Sequence, residues 1–142
     1  TPRAIVELLK RNDVSLAGKE VVIIGRGTTV GRPLSLLLSS KEVNATVTIL
    51  HTGSKNLSEH TRRADVVIAA IGQAHFLTAD MVKAGVIAID VGITRTAKGL
   101  QGDVHPDVAD VASAIAPMPG GVGPMTRAML LSNILDIAES QT

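Results

Sequence analysis

Residues 21–33 read VVIIGRGTTVGRP. Four apolar β-branched residues run into a glycine turn, and a helical pattern starts directly after it. An apolar run this short suits a strand covered on both faces, the usual condition of a parallel sheet. The pattern Gly25-x-Gly27-x-x-x-Gly31 then holds the ingredients of a phosphate cradle. The first glycine permits a tight turn, and the second lets backbone approach a pyrophosphate. The helix N-terminus supplies free N–H groups and a partial positive charge. Gly31 arrives one residue late for the common dinucleotide fingerprint, so the turn is expected to be longer by one. A plain strand-to-helix connection would use the same residue types, and spacing alone leaves both readings open.

The rest of the chain repeats the strand–helix alternation. Thr1-Pro2 reads as an N-cap with proline in the first turn, opening a helix through about Asn12. Val30, Leu34, Leu37 and Leu38 give helical spacing after the glycine turn. Strands are expected at 46–50, 66–71, 86–91 and 113–116, and helices at 57–64, 78–84 and 126–138. Thr78 is the expected cap of the 78–84 helix, and Gly85 its stop. Residues 94–102, with Lys98-Gly99 near the middle, read as a small antiparallel hairpin. The implied fold is α/β: a Rossmann-like, doubly wound parallel sheet with flanking helices and right-handed crossovers. Such folds bind ligands at the carboxyl ends of their strands. The glycines at 25, 27, 72, 92 and 120–123 all fall there. At 142 residues the chain is one domain, residues 1–142, with 1–12 as a linking helix.

Composition removes several classes of function. Phe76 is the only aromatic residue, so the core must be aliphatic and no surface of stacking aromatics exists. The net charge is +1 without a basic stripe, so nucleic acid is not an expected partner. No cysteine is present, which excludes disulfides and thiolate metal sites. No apolar run is long enough to span a membrane. The first residues open a helix rather than a signal peptide. A cytoplasmic location is compatible with all of this.

The end of the second strand bears on which nucleotide fits. A site for NAD usually ends that strand with Asp or Glu on the ribose 2′-hydroxyl. Here it ends Leu50-His51-Thr52-Gly53-Ser54-Lys55, without a carboxylate. Arg26 lies in the turn next door. Arg26, Thr52 and Ser54 could bind a 2′-phosphate through charge-assisted hydrogen bonds, which favours NADP.

Other residues invite functional readings. His51, His60, His75 and His105 lack zinc-type spacing and are expected to be surface or capping residues; no metal site is assigned. Asp90 and Asp103 have no nucleophile–base constellation beside them and are expected to orient loops. Met81, Met118, Met125 and Met129 are expected in packing. The run Pro119-Gly120-Gly121-Val122-Gly123-Pro124-Met125-Thr126 gives an unobstructed backbone surface against which a flat ligand could lie, with a helix expected to begin at Thr126.

The segments GRGTTVGRP, ATVTILHTGSKNL, ADVVIAAIG, VIAIDVGI, GDV and PMPGGVGPMT occur in this order across most of the chain. Together they resemble the nucleotide-binding domain of the bifunctional methylenetetrahydrofolate dehydrogenase/methenyltetrahydrofolate cyclohydrolase family, FolD. The resemblance implies NADP-dependent oxidation of 5,10-methylenetetrahydrofolate to the methenyl compound, then hydrolysis to 10-formyltetrahydrofolate. That places the chain in one-carbon metabolism and purine biosynthesis, in the cytoplasm. It implies that Gly25, Arg26 and Gly27 hold the cofactor phosphates and that Arg26 with Thr52 contacts the 2′-phosphate. Gly72 and Ile93 would lie along the nucleotide and nicotinamide ribose, and Gly121, Gly123 and Thr126 would line the nicotinamide and face the folate. Gly27 stands where many relatives have serine, so backbone must serve there; Thr52 replaces a common serine and keeps the hydroxyl. The family's folate-binding domain, which precedes this one and supplies a catalytic lysine and tyrosine, is absent from this chain. With no tyrosine present, no catalytic residue is assigned. The resemblance also implies a homodimer formed through this domain, with the 94–102 hairpin as a paired edge. Two other readings remain: a nucleotide-sensing module without catalysis, and an NAD-dependent relative.

Overall fold

The computed structural model describes residues 1–141. Its elements are α1 (Pro2–Arg11), β1 (Glu20–Ile24), α2 (Gly31–Leu38), β2 (Thr46–Leu50), α3 (Leu57–Arg63), β3 (Val66–Ala69), β4 (Ile87–Asp90), β5 (Thr94–Thr96), β6 (Gly99–Gln101), β7 (Ala114–Ala116) and α4 (Val122–Ser140). Two 3₁₀ turns, Ala79–Met81 and Pro106–Asp110, lie between strands. The main sheet has the order β2-β1-β3-β4-β7, and every neighbouring pair is parallel. β5 and β6 form the separate antiparallel hairpin. The chain leaves β1 toward β2 on one side and returns to β3 on the other. A doubly wound sheet opens its ligand crevice at that reversal, outside the carboxyl ends of β1 and β3.

The apolar strands are explained by a sheet covered on both faces. Alternate residues of a strand point to opposite sides. Val21 and Ile23 join Ile5, Leu9, Leu34, Leu38, Val66, Ile68 and Ile89 in one buried cluster beside α1 and α2. Val22 and Ile24 join Leu50, Val67, Ala69, Leu77, Val86, Ala88, Val104 and Val108 in another on the opposite face. Each fully buried Val, Leu or Ile contributes about 1.5–3 kcal/mol of transfer free energy, so a polar side chain anywhere in β1 or β3 would be costly. α1 also packs on α4, where the Arg3 guanidinium reaches Asn133 and Asp136. Leu130, Leu131, Ile134, Leu135 and Ile137 of α4 remain more than half exposed.

Three expectations need correction. The helix expected at 78–84 is only the turn Ala79–Met81. The Thr78 hydroxyl bonds the Asp80 carboxylate instead of capping backbone, and Val82 is extended, which buries its side chain against the second core cluster. The last helix starts at Val122 rather than Thr126. Pro124 falls in its first turn, where the missing N–H costs nothing, so the helix begins inside the proline–glycine loop. Thr1 occupies the cap position of α1 without a side-chain cap bond; the Thr126 hydroxyl lies 3.3 Å from its own.

Candidate functional site

Parallel register brings the carboxyl ends of the main strands into one row. Ile24 stands opposite both Leu50 and Ala69, and Ala69 stands opposite Asp90. The glycine turn therefore lies between the β2 end, residues 51–55, and the loop after β3, residues 70–72. The Gly25 N–H donates to the Leu50 carbonyl at 2.8 Å, and the Ala70 N–H to the Ile24 carbonyl at 2.9 Å. Gly25 has φ +119°, and a Cβ there would overlap the Ala70 carbonyl. A Cβ on Gly31 would overlap the Gly25 carbonyl. The late third glycine thus keeps the usual duty of close packing between turn and helix, and the extra residue is taken up in the loop before it.

That loop leaves its donors free. The backbone N–H groups of Arg26, Gly27, Thr28, Thr29 and Val30 find no acceptor among the described residues. Unpaired N–H groups at the start of a helix form a ready anion site. Arg26, Gly27, Thr28 and Thr29 are exposed, and the Arg26 guanidinium has no hydrogen-bond or ion-pair partner among the described residues. Between Gly25 and Asn56 the chain carries Arg26, Arg32, Lys41 and Lys55 against a single acid, Glu42. The local field favours an anion.

The β2 end is a self-held turn. The His51 N–H donates to Ser54 Oγ at 2.8 Å, the Ser54 N–H to the His51 carbonyl at 2.9 Å, and the Gly53 N–H to His51 Nδ1 at 3.1 Å. His51 is therefore a cap, as expected, and Ser54 Oγ is occupied as an acceptor. Thr52 is exposed and its hydroxyl is uncommitted among the described residues. His105 is likewise a cap: Nδ1 accepts from the Asp107 N–H. His75 sets its ring edge-on to that of His105 at 5.1 Å. Among the described residues no cluster of His, Asp or Glu could hold a metal ion, and no helix is long and apolar enough to cross a membrane.

Farther along the row, Gly72 has φ +72° and its carbonyl accepts from Thr94 Oγ1 at 3.1 Å. Ile93 is 62% exposed beyond β4. Asp90 and Asp103 are both buried and tie these loops together. Asp90 accepts from the N–H groups of Asp103 and Val104, and Asp103 from those of Ile71 and Gly72. Burial pushes the Asp90 carboxyl up to about 6, against the opposing pull of its two backbone donors. At the end of β7, Gly121 precedes α4 and a Cβ on it would overlap the Pro117 carbonyl, while Gly123 faces open space. Thr126 sits in the second turn of α4, its hydroxyl donating to the Val122 carbonyl at 3.0 Å. So Gly25, Arg26, Gly27, Thr52, Gly72 and Ile93 gather along adjacent strand ends; Gly121, Gly123 and Thr126 lie beyond β4 at the edge strand. The free N–H groups of Thr28 and Thr29 escape residue-type reasoning, since any residue in that backbone conformation would supply them.

The fold recurs in solved structures. The bifunctional FolD methylenetetrahydrofolate dehydrogenase/cyclohydrolase of Campylobacter jejuni is 45% identical over 99% of this chain, with a TM-score of 0.95. The Trypanosoma brucei methylenetetrahydrofolate dehydrogenase-cyclohydrolase, solved with NADP cofactor and inhibitor, is 38% identical over 99% with a TM-score of 0.88. The NAD-dependent 5,10-methylenetetrahydrofolate dehydrogenase of Saccharomyces cerevisiae is 25% identical over 99% with a TM-score of 0.81. This chain spans about half the length of these relatives: 50%, 50% and 51%. The family model of the tetrahydrofolate dehydrogenase/cyclohydrolase NAD(P)-binding domain matches residues 1–142, and with a glycine turn of free donors at the switch point of a parallel sheet, the chain belongs to that family.

Proposed function

We propose that this chain is the NADP-holding half of a methylenetetrahydrofolate dehydrogenase/cyclohydrolase. The observation that carries the choice of NADP over NAD is Arg26, a guanidinium unpaired among the described residues, in the glycine turn beside a β2 end that bears no carboxylate. A carboxylate there would repel a 2′-phosphate; a guanidinium forks onto one. The free N–H groups of residues 26–30 take the pyrophosphate, Thr52 assists Arg26, Gly72 and Ile93 border the ribose, and Gly121, Gly123 and Thr126 border the nicotinamide. Bound NADP supplies the hydride acceptor for oxidation of the folate methylene carbon. The residues of this chain bind and orient; hydride transfer depends chiefly on that near-contact orientation. Groups that act on folate belong to the half of the relatives' length this chain does not span. A cytoplasmic homodimer using the β5–β6 hairpin as a paired edge completes the reading.

The test is to incubate the purified chain with NADP and 5,10-methylenetetrahydrofolate. The expected result is saturable NADP binding without NADPH formation. Robust turnover would refute this division of labour. The NAD-dependent yeast relative keeps one competing reading open, an NAD enzyme. It predicts equal or tighter binding of NAD.

A further inference from the structure

We propose that Asp103 is a positioning residue for the dinucleotide, holding the loops after β3 and β4 in the shape that receives its nicotinamide half; this rests on the NADP reading above. Asp103 is completely buried. Its Oδ2 accepts from the Ile71 N–H at 2.7 Å and the Gly72 N–H at 3.0 Å. The same carboxylate occupies the space a Cβ on Gly92 would need, directly before Ile93. One side chain therefore fixes both cofactor-facing positions, Gly72 through its N–H and Ile93 through its neighbour. Gly72 is clamped on its other side by Thr94 Oγ1.

Asp103 is itself held from behind. Its N–H donates to Asp90 Oδ1 at 2.8 Å and its carbonyl accepts from the Leu77 N–H at 2.9 Å. The Asp90 carboxylate in turn fills the space left by Gly102. The brace thus runs from the end of β4 through Asp103 to the end of β3, without a group from the glycine turn or the β2 end. Asp103 Oδ1 is buried with no partner among the described residues. An unpartnered buried oxygen is costly, and a merely structural brace would be served by a side chain with a single acceptor. A rigid carboxylate wedged between two loops answers to shape instead.

This separation gives a test that stability alone would not move. On the NADP reading above, adenosine 2′,5′-bisphosphate takes the glycine turn and the β2 end and carries no nicotinamide half to lie along loop 92–93; NADP spans both. In Asp103→Ala, NADP affinity should fall about tenfold or more, the loss of two charge-assisted hydrogen bonds. Affinity for adenosine 2′,5′-bisphosphate should change less than about threefold. Gly92→Ala, which drives a methyl group into the carboxylate, should reproduce the selective loss in a chain that keeps Asp103. Asp103→Asn, which retains one oxygen for Ile71 and Gly72, should recover most of the NADP affinity. Parallel losses for both ligands, or undiminished NADP binding in folded Asp103→Ala or Gly92→Ala, would overturn the proposal. Failure of the unaltered chain to bind NADP would instead sink the functional reading on which it rests.

Discussion

Two stretches at the same edge of the sheet solve the same backbone problem in opposite ways. After β1, residues 26–30 leave five consecutive N–H groups without acceptors among the described residues, and set among them a guanidinium with no partner there. After β3 and β6, the N–H groups of Ile71, Gly72, Asp103 and Val104 are consumed by two buried carboxylates. Exposed donors cost little because water serves them until an anion arrives. Donors turned onto a buried carboxylate are instead paired within the protein. One region is built to bind charge and the other to keep its shape, and a ligand laid across both needs each property in its place.

Gly25→Ala should break the first region most severely. It combines a positive φ with overlap onto the Ala70 carbonyl. We expect a loss of about 3 kcal/mol in urea unfolding, together with loss of NADP binding. A variant of unchanged stability would mean that the turn is not rigid.

Asp90 tests the second region next. Its folded carboxyl titrates near 6 against an unfolded value of 3.8. A raised carboxyl pKa means that the folded state holds the proton more tightly. Its contribution to stability is fully present below pH 3.8 and is lost as pH rises through about 6, a change of about 3 kcal/mol. Asp65, held below its ordinary value first by its hydrogen bond with Lys83, runs the other way and loses its contribution as pH falls. NMR titration of the Asp90 carboxyl carbon should give a midpoint near 6; a midpoint near 4 would contradict the burial argument.

Thr52→Ala sharpens the comparison at the β2 end. Removal of one neutral hydroxyl should weaken NADP by about 1 kcal/mol, roughly fivefold, and leave NAD unchanged. Equal weakening of both would place Thr52 away from the 2′-phosphate. The smallest effect is expected at the opposite, amino-terminal edge. Lys83→Ala removes a half-exposed pair with Asp65, and chemical denaturation should register less than about 1 kcal/mol.

The strands and the glycine turn were legible because their determinants are local. A β-branched run covered on both faces, and glycines where no Cβ fits, leave few alternatives. The hairpin was legible too: Gly99 has φ +104° directly after its turn. The 78–84 segment misled because Thr78 and Gly85 are good helix punctuation, whereas burial of Val82 is a tertiary demand that propensity does not express. Thr126 misled for a related reason: the proline and glycines of 119–124 look like loop, yet proline is permitted in a first helical turn. Arg26 and the missing carboxylate of β2 could be read directly, as residue identities at fixed positions. Asp90 at the end of a strand and Asp103 after Gly102 could be read as orienting loops, but not joined. Their linkage depends on a crossing of backbone segments 13 and about 32 residues apart, and no local pattern encodes it.

The most direct test of the central claim is calorimetric titration of the chain and of Arg26→Ala with NADP and NAD in parallel. Arg26→Ala should weaken NADP by about 1.5–3 kcal/mol, on the order of ten- to a hundredfold, and leave NAD nearly unaffected. Equal losses for the two nucleotides, or no loss for NADP, would show that this guanidinium does not read the 2′-phosphate.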